Sequence, residues 1–411
     1  MAEGKIVPIT VAQLRGYILE ELLARLLQDN GYRLLVTADQ DREALKEDGK
    51  GLHVRGRGTL HQVDVLGELD LPLPFSLPLR LFVEAKHRKK SLGVEYVRNA
   101  YGTIRDVNEH YTTLTPGRSH IPMRRYQYQY ALFSASGFTP PAQEYALAQQ
   151  ISLIDLSNPG FEPLLATADD IAVRIVGLAT QTNVTSVPTQ QVRHALRHAL
   201  GTWPTNVEDQ DFYDLAERIN QLRESTVSSP TFGLAVFRDR EAAGLPVTKS
   251  ADEQDDEYEH LYQSRQTLAP AQELPTHQLA TIVATLGNVM MDNVALGFPP
   301  APFILILLID NPAAFTEFIA NPRNSDIRVT LDYPRDHNDN RPLSSDWEIL
   351  PLDENAGFRL TFTLPDILGA WMKGGQVPIW SMREAKTTLL SSIALVRGNR
   401  VVRLLYTPHS K

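Results

Sequence analysis

Apolar side chains recur along the first part of the chain with two different periods, and each period predicts a different kind of element. Between residues 10 and 30 they recur every three or four positions, which is the spacing of one helical face. Shorter apolar runs with alternation are typical of strands. These patterns predict strands at 32–37, 61–69, 79–86, 128–136 and 151–156, and further helices at 93–111 and 139–150.

The second half of the chain is richer in strand patterns. A helix is predicted at 276–293, and strand-like runs follow at 303–310, 327–333, 346–352, 357–365 and 400–408. A polar, turn-rich stretch separates the two halves. We therefore predict an α/β protein in three parts: an N-terminal mixed sheet flanked by helices (1–165), a helical linker region (166–228) and a β-rich α/β C-terminal domain (229–411).

The composition narrows the class of protein. The chain has 411 residues, which is long for one domain, and 43% of them are hydrophobic, as in ordinary folded proteins. It has no cysteine, which excludes disulfides, thiolate zinc sites, iron–sulfur clusters and cysteine nucleophiles. The N-terminus lacks a basic-then-apolar signal, and the longest apolar run is too short for a membrane span. We expect a soluble, cytoplasmic protein with no membrane partner.

Charge restricts where a nucleic acid can bind. The formal net charge of −9 argues against binding by the whole surface, so a polyanion site must be a local basic patch. Arg88, Lys89 and Lys90 form such a patch directly after the apolar strand 79–86. Cations there would hold a phosphate backbone. Arg98, on the following helix, either lines the same channel or is simply solvated.

The same strand ends in candidate catalytic chemistry. Because side chains alternate along a strand, Glu84 and Lys86 point the same way, while Ala85 points into the packing. Asp64 stands in the middle of the preceding predicted strand, and hairpin pairing brings it to the same edge as Glu84. Two carboxylates there form a hard oxygen site suited to Mg²⁺ or Mn²⁺. Lys86 would orient or deprotonate a water and neutralise charge developing on a phosphate.

The segments around these residues resemble a known family in their order. The opening helix ends in Gly-Tyr, "QVDVLG" (62–67) and "VEAK" (83–86) carry the acids and the lysine, and "YALFSASGFTPPAQEYALAQQISLIDL" (130–156) gives a closing strand, helix and strand. Residues 10–160 thereby resemble the PD-(D/E)XK nuclease superfamily, and within it the Mrr-like restriction endonucleases. This resemblance implies a restriction-endonuclease-like fold for the N-terminal domain.

Carried over to this sequence, the resemblance assigns roles to the acids and the lysine. It makes Asp64 and Glu84 the metal ligands and Lys86 the catalytic lysine. Glu20 matches the acid on the family's first helix, which supports the metal or a water. Glu21 stays open as the alternative, because neighbouring positions lie only about 100° apart on a helix.

The stretch before Asp64 departs from the family pattern. The family often has a second acid here, where this chain has Leu60, His61 and Gln62. Gln62 is predicted to share a strand face with Asp64 and to contact the substrate or a metal-bound water.

The resemblance implies a Mg²⁺-dependent DNA endonuclease, an effector of a prokaryotic restriction or anti-phage defence system. Cutting both strands of DNA needs two sites, so a homo-oligomer is expected. The C-terminal domain would then serve target choice, sensing, oligomerisation or docking of a protein such as an ATPase or a guide-loaded protein. The alternative is a non-catalytic DNA- or protein-binding subunit that keeps the nuclease fold. RNA is a third possibility as the substrate.

Overall fold

The structure is a computed structural model. It describes residues 11–48, 51–69, 77–110, 125–157, 161–184, 188–202, 273–288, 293–301, 303–332, 347–364, 368, 386–397 and 400–408. By backbone proximity, the described residues up to 202 and those from 274 onward belong to one compact unit. Residues 203–272 lie outside the described part, and they include the end of the predicted linker and the start of the predicted C-terminal domain.

Two sheets form the N-terminal half. The strands, in chain order, are β1 (Tyr32–Leu35), β2 (Leu45–Asp48), β3 (Gly51–Arg55), β4 (Leu60–Gln62), β5 (Val65–Leu69), β6 (Leu79–Lys86), β7 (Gln127–Ser134) and β8 (Ser152–Asp155). The main sheet has the order β1-β5-β6-β7-β8, and β2-β3-β4 form a small antiparallel sheet. In the main sheet β6 is central, antiparallel to β5 and parallel to β7.

Helices cover both faces of the main sheet. Those in this half are α1 (Val11–Asp29), α2 (Val94–Asn108), α3 (Pro140–Gln149), α4 (Glu162–Gln181) and α5 (Thr189–Leu200), with a short 3₁₀ helix at Ala38–Asp41. On β6, Leu81 and Val83 are buried in the core that contains α1. Phe82, between them, faces the opposite core with α2 and α3. The prediction of a mixed sheet flanked by helices is therefore confirmed.

A bend at Val63 and Asp64 divides one of the predicted strands. The sequence pattern predicts a single strand at 61–69, and this is wrong. The Val63 N–H donates to the Leu52 carbonyl in the small sheet at 3.0 Å, whereas the Asp64 N–H donates to the Val83 carbonyl of β6 at 3.3 Å. Asp64 therefore stands at the junction of two sheets, not in the middle of a strand.

Helices α4 and α5 complete the layer around α1. Ile171 and Ile175 of α4 are fully buried, as are Val192 and Leu196 of α5. They share one continuous apolar core with Leu19 of α1. Because burying such side chains contributes about 1.5–3 kcal/mol each, α1 is stabilised by these two helices as well as by the sheet.

The described part of the C-terminal half contains a closed β-barrel. Its strands are β9 (Val294–Phe298), β10 (Leu305–Ile309), β11 (Asp326–Asp332), β12 (Trp347–Pro351), β13 (Leu360–Phe362), β14 (Ser392–Arg397) and β15 (Arg400–Tyr406). They follow the order β10-β13-β12-β11-β15-β14-β9 around the barrel. Its helical additions are α6 (Thr276–Ala284), a 3₁₀ turn (Thr285–Asn288) and α7 (Pro312–Ala320).

Buried apolar side chains from all seven strands of the barrel form one core. Trp347 is fully buried, and its ring stacks on Phe362 of the adjacent strand with centroids 6.1 Å apart. Among the barrel pairings of the described residues, that of β11 with β15 is parallel and the others are antiparallel. The prediction of a β-rich α/β C-terminal domain is confirmed. Within the described residues, no helix combines the length and apolar character needed to cross a bilayer.

The C-terminus of α1 joins the barrel through one fully buried amide. The Asn30 side chain accepts a hydrogen bond from the Leu296 N–H of β9 at 2.7 Å and donates to the Leu26 carbonyl at 2.7 Å. The next residue, Gly31, has a φ of +79°, and a Cβ there would lie 2.3 Å from a methyl group of Val396. The helix therefore ends in a left-handed glycine that lets the barrel approach closely.

Replacing Asn30 should weaken the joint between α1 and the barrel. The change Asn30→Ala leaves a buried N–H on Leu296 without its acceptor, which costs about 1–3 kcal/mol. We expect a lower midpoint of thermal unfolding, measured by circular dichroism. The matched control is Asn99→Ala on the exposed side of α2, for which we expect almost no shift. Equal midpoints for both variants would contradict the role given to Asn30.

Candidate active site

The ends of β5 and β6 bring three of the predicted residues together. Lys86 Nζ lies 2.7 Å from Glu84 Oε1, as expected for side chains on the same face of one strand. Asp64 reaches the same place from the junction that precedes β5, where its Oδ2 accepts the Ala85 N–H at 2.8 Å. Ala85 itself points into the core. The backbone of the Glu-x-Lys motif thus positions the neighbouring aspartate.

A tyrosine from the adjacent strand fixes the orientation of Glu84. The Tyr130 hydroxyl donates to Glu84 Oε2, so Lys86 and Tyr130 each hold one oxygen of the carboxylate. The Tyr130 ring is stacked on Phe82 with centroids 4.9 Å apart. Burial, followed by the Glu84 charge, raises the pKa of Tyr130 well above its usual range, so the phenol remains a donor.

Lys86 carries its proton in this setting. Burial alone would lower the pKa of Lys86, but the carboxylates of Glu84 and Asp64 outweigh burial and raise it. The side chain keeps about a quarter of its surface exposed, at 24%. An ammonium that is stabilised in this way is a hydrogen-bond donor and a positive charge. It favours positioning of a water or phosphate over removal of a proton.

Glu20 and Glu21 of α1 have different environments. Glu21 is 3% exposed and is bound by Arg197 of α5, whose Nε lies 3.0 Å from Glu21 Oε2. Glu20 forms an ion pair with Arg193 of the same helix. The Asp64 carboxylate is among the groups that raise the pKa of Glu20, after burial. The charge of Glu20 also acts on Lys86, so Glu20 interacts electrostatically with two residues of the cluster.

The acids of this cluster are crowded. Burial and the Asp64 carboxylate raise the pKa of Glu20 to about 8, although the Arg193 guanidinium opposes that rise. Burial likewise raises the pKa of Asp64, against the attraction of Lys86. Burial is the first cause of both rises, so a cation that replaced the protons would favour the ionised form of these carboxylates.

The donor set suits a hard divalent cation. Asp64 and Glu84 offer carboxylate oxygens, and each oxygen retains lone pairs beside the hydrogen bond that it accepts. Among the described residues, no group of three or more His, Cys, Asp or Glu side chains has the arrangement of a metal site. Glu20 is directed to Arg193 instead of completing such a group. The residues fit a metal by their chemistry and charge.

The predicted cationic substrate-binding residues lie on the segments that follow β6 in the chain. Arg88, Lys89 and Lys90 are exposed just beyond β6, with Arg88 over the Tyr96 ring at 5.4 Å. Arg98 is exposed on α2 and lies over the Tyr145 ring at 5.7 Å. The prediction that Gln62 shares a strand face with Asp64 is wrong. The bend separates them, and Gln62 is an exposed residue of β4, opposite His53 in the small sheet.

Three further residues at the site were not found from the sequence. Tyr130 stands opposite Phe82 in the parallel register of β6 and β7, so only that register identifies it. Asp169 of α4 lies 3.7 Å from His87, the residue after Lys86. Arg193 comes from α5. The pattern around Tyr130 signals a strand, whereas no local pattern connects Asp169 or Arg193 to the motif.

The fold and the family match define the class of the N-terminal domain, which is restriction-endonuclease-like. Residues 11–158 match the family described as restriction endonuclease, Mrr catalytic type, and this part of the chain is an Mrr-type domain. No curated protein matches the chain. A solved structure titled "Crystal Structure of Protein of Unknown Function AF1548" is 17% identical, covering 49% of this chain and 97% of that one, with a TM-score of 0.27. That likeness is too low to support an argument.

Removing the Tyr130 hydroxyl should loosen Glu84 without disturbing the core. In Tyr130→Phe the ring still stacks on Phe82, but one carboxylate oxygen loses its donor, which costs about 1–2 kcal/mol. We expect a lower midpoint of thermal unfolding. Tyr145→Phe on α3 is the control, because it loses the same hydroxyl away from the cluster. A midpoint equal to that of the wild type would show that Tyr130 does not restrain Glu84.

Proposed function

We propose that this protein is a metal-dependent endonuclease that hydrolyses phosphodiester bonds in DNA. The observation that supports this most directly is the convergence of Asp64, Glu84 and Lys86 at the end of β6, within a restriction-endonuclease-like domain. Two crowded carboxylates next to a protonated lysine are suited to a metal and a phosphate. Neither feature is needed merely to hold the sheet together.

Each residue has a separate task in this proposal. Asp64 and Glu84 would hold Mg²⁺ or Mn²⁺, which supplies Lewis-acid polarisation of a phosphate oxygen and a more acidic water. Lys86 directs its ammonium protons toward the attacking water or the phosphate and neutralises charge that develops there. The Tyr130 hydroxyl and the Ala85 N–H keep the two carboxylates in place. Such preorganisation avoids reordering of the site during the reaction.

The exposed cations after β6 suit a nucleic-acid backbone. Arg88, Lys89 and Lys90 follow Lys86 by only a few residues and are exposed. In a protein with a net charge of −9, a local cationic cluster next to an acidic centre is needed to hold a polyanion close to it. We include the exposed Arg98 of α2 in the same DNA-binding surface.

The wider setting of the protein is also part of the proposal. An Mrr-type domain is suited to an effector nuclease of a prokaryotic restriction or anti-phage defence system, which acts in the cytoplasm. Cleavage of both DNA strands requires two such centres, which favours a homo-oligomer. We assign the C-terminal part, with its barrel, to sensing, oligomerisation or docking of a protein partner such as an ATPase or a guide-loaded protein.

A second function has one observation in its favour. The ammonium of Lys86 already lies on Glu84, and Glu20 is paired with Arg193, so both acids have cations within the chain. A DNA- or protein-binding subunit that retained the nuclease fold without catalysis would show the same internal pairing. The two functions differ in whether DNA is cut when a divalent ion is supplied.

Substitutions at the centre should abolish cleavage of supercoiled plasmid in Mg²⁺ or Mn²⁺. Asp64→Asn keeps an oxygen that accepts the Ala85 N–H but removes the charge, and Lys86→Met removes the ammonium. We expect each change to slow cleavage by at least about 100-fold, measured by gel electrophoresis of nicked and linear products.

Lys46→Met is the matched lysine control, because Lys46 is exposed on β2 in the small sheet. It should cleave like the wild type. Wild-type rates in Asp64→Asn would remove this aspartate from the mechanism. The absence of cleavage by the wild type on both DNA and RNA of the same sequence would favour the non-catalytic subunit. Cleavage of RNA alone would correct the substrate class.

Neutralising the basic cluster should weaken binding of DNA in a salt-dependent manner. With Arg88→Gln, Lys89→Gln and Lys90→Gln combined in the Asp64→Asn protein, each lost phosphate contact lowers the slope of log K against log salt by about 0.9. We expect a slope smaller by up to about 2.7, measured by fluorescence anisotropy of labelled duplex. Arg42→Gln, at an exposed arginine, should leave the slope unchanged. Equal slopes for both proteins would mean that the cluster is merely solvated.

A further inference from the structure

Helix α5 lies beyond the residues that match the nuclease family, yet it brings two arginines to α1. Arg197 donates from Nε to both oxygens of Glu21, at 3.1 and 3.0 Å. Arg193 forms an ion pair with Glu20, and its Nη1 donates to Glu21 at 3.1 Å. The Arg193 guanidinium also lies over the Tyr17 ring, 4.7 Å from its centroid. Arg197 therefore pairs with Glu21, whereas Arg193 pairs with Glu20 and also donates to Glu21.

The position of α5 is fixed by contacts on two sides. Val192 and Leu196 are fully buried in the core around α1. The Gln191 side chain bonds both the N–H and the carbonyl of Leu274, each at 2.8 Å. Because these anchors flank Arg193 in the sequence of the helix, the guanidinium is presented to Glu20 by a rigid support.

We propose that Arg193 is a built-in counter-ion, which occupies Glu20 and thereby lowers the affinity of the active centre for its divalent cation. The inference rests on the proposed metal-dependent function. The guanidinium and the divalent cation are attracted by the same carboxylates, because Glu20 lies within the electrostatic reach of Asp64. Two cations at one largely buried site repel each other more strongly than they would in water. Arg193 is therefore a positioning residue, not a catalytic one.

The consequence is that a helix outside the family match sets the metal affinity of the nuclease domain. With Arg193 in place, Glu20 is paired with a guanidinium, and the divalent cation binds mainly through Asp64 and Glu84. Withdrawal of the Arg193 charge would remove the repulsion between the guanidinium and the divalent cation. It would also leave the Glu20 oxygens to that cation, which would take the place of a proton on the carboxyl group. Arg197 would not have this effect, because it contacts the neighbouring Glu21 instead.

The test is Mn²⁺ binding to the full-length protein without DNA, followed by isothermal titration calorimetry. We expect Arg193→Gln to bind Mn²⁺ at least about fivefold more tightly than the wild type. Arg193→Lys retains the charge and should stay within about twofold of the wild type. Arg197→Gln is the matched control from the same helix face and should also stay within about twofold. Arg193→Met, whose apolar stem still packs on Tyr17, serves if the glutamine variant does not fold.

A second readout is the rise in the thermal unfolding midpoint that Mn²⁺ produces, since a ligand that binds only the folded state stabilises it by RT ln(1 + [L]/Kd), which increases as Kd falls. This rise should be larger for Arg193→Gln than for the wild type and Arg197→Gln. Unchanged or weaker Mn²⁺ binding by Arg193→Gln would overturn the inference. Equal tightening in Arg197→Gln would do the same, because the effect would then belong to the general charge of α5.

The outcome also separates this inference from the proposed function. If the wild type binds Mn²⁺, Asp64→Asn does not, and Arg193→Gln equals the wild type, the metal centre stands and the role of Arg193 is refuted. If neither the wild type nor Arg193→Gln binds Mn²⁺, both proposals fail. If Arg193→Gln alone binds measurably, the counter-ion role is supported in its strongest form.

Discussion

Charge that is buried in a protein has to be balanced, and strand β6 is subject to this constraint at both of its ends. At its start, Arg80 is 1% exposed and meets Glu68 at 2.9 Å and Asp41 at 2.6 Å. At its finish stand Glu84 and Lys86, 2.7 Å apart. Between the two ends the side chains are apolar and pack on both faces. The central strand therefore joins two ionic clusters through one hydrophobic core.

The two clusters differ in how well they are balanced. At the start of β6 two cations meet two acids: Arg33 and Arg80 with Asp41 and Glu68. At its finish three cations meet four acids: Lys86, Arg193 and Arg197 with Glu20, Glu21, Asp64 and Glu84. A balanced cluster is sufficient for structure. In the acid-rich cluster, burial and the Asp64 charge raise the pKa of Glu20 to about 8, so a further cation could take the place of its proton. This physical difference favours the second cluster as the chemical one.

The local sequence pattern was sufficient to predict the part of the site that lies on a single strand. The alternation of Glu84, Ala85 and Lys86 predicts their common face, and the structure has it. The bend at Asp64 was not predictable, because Val63 and Val65 keep an unbroken alternation through the junction of two sheets. Alternation reports which side chains are buried. It does not report which sheet buries them.

The site contacts that the sequence did not predict join parts of the chain that are distant in sequence. Arg193 meets Glu20 across 173 positions, and no local pattern encodes that meeting. The same contact bears on where the catalytic unit ends. A cut at residue 165 would expose the face of α1 that packs on α4 and α5, and it would leave Glu20 and Glu21 without their arginines. Because unpaired buried carboxylates are strongly destabilising, the nuclease domain needs the helices up to Leu200 to keep its own acids in place.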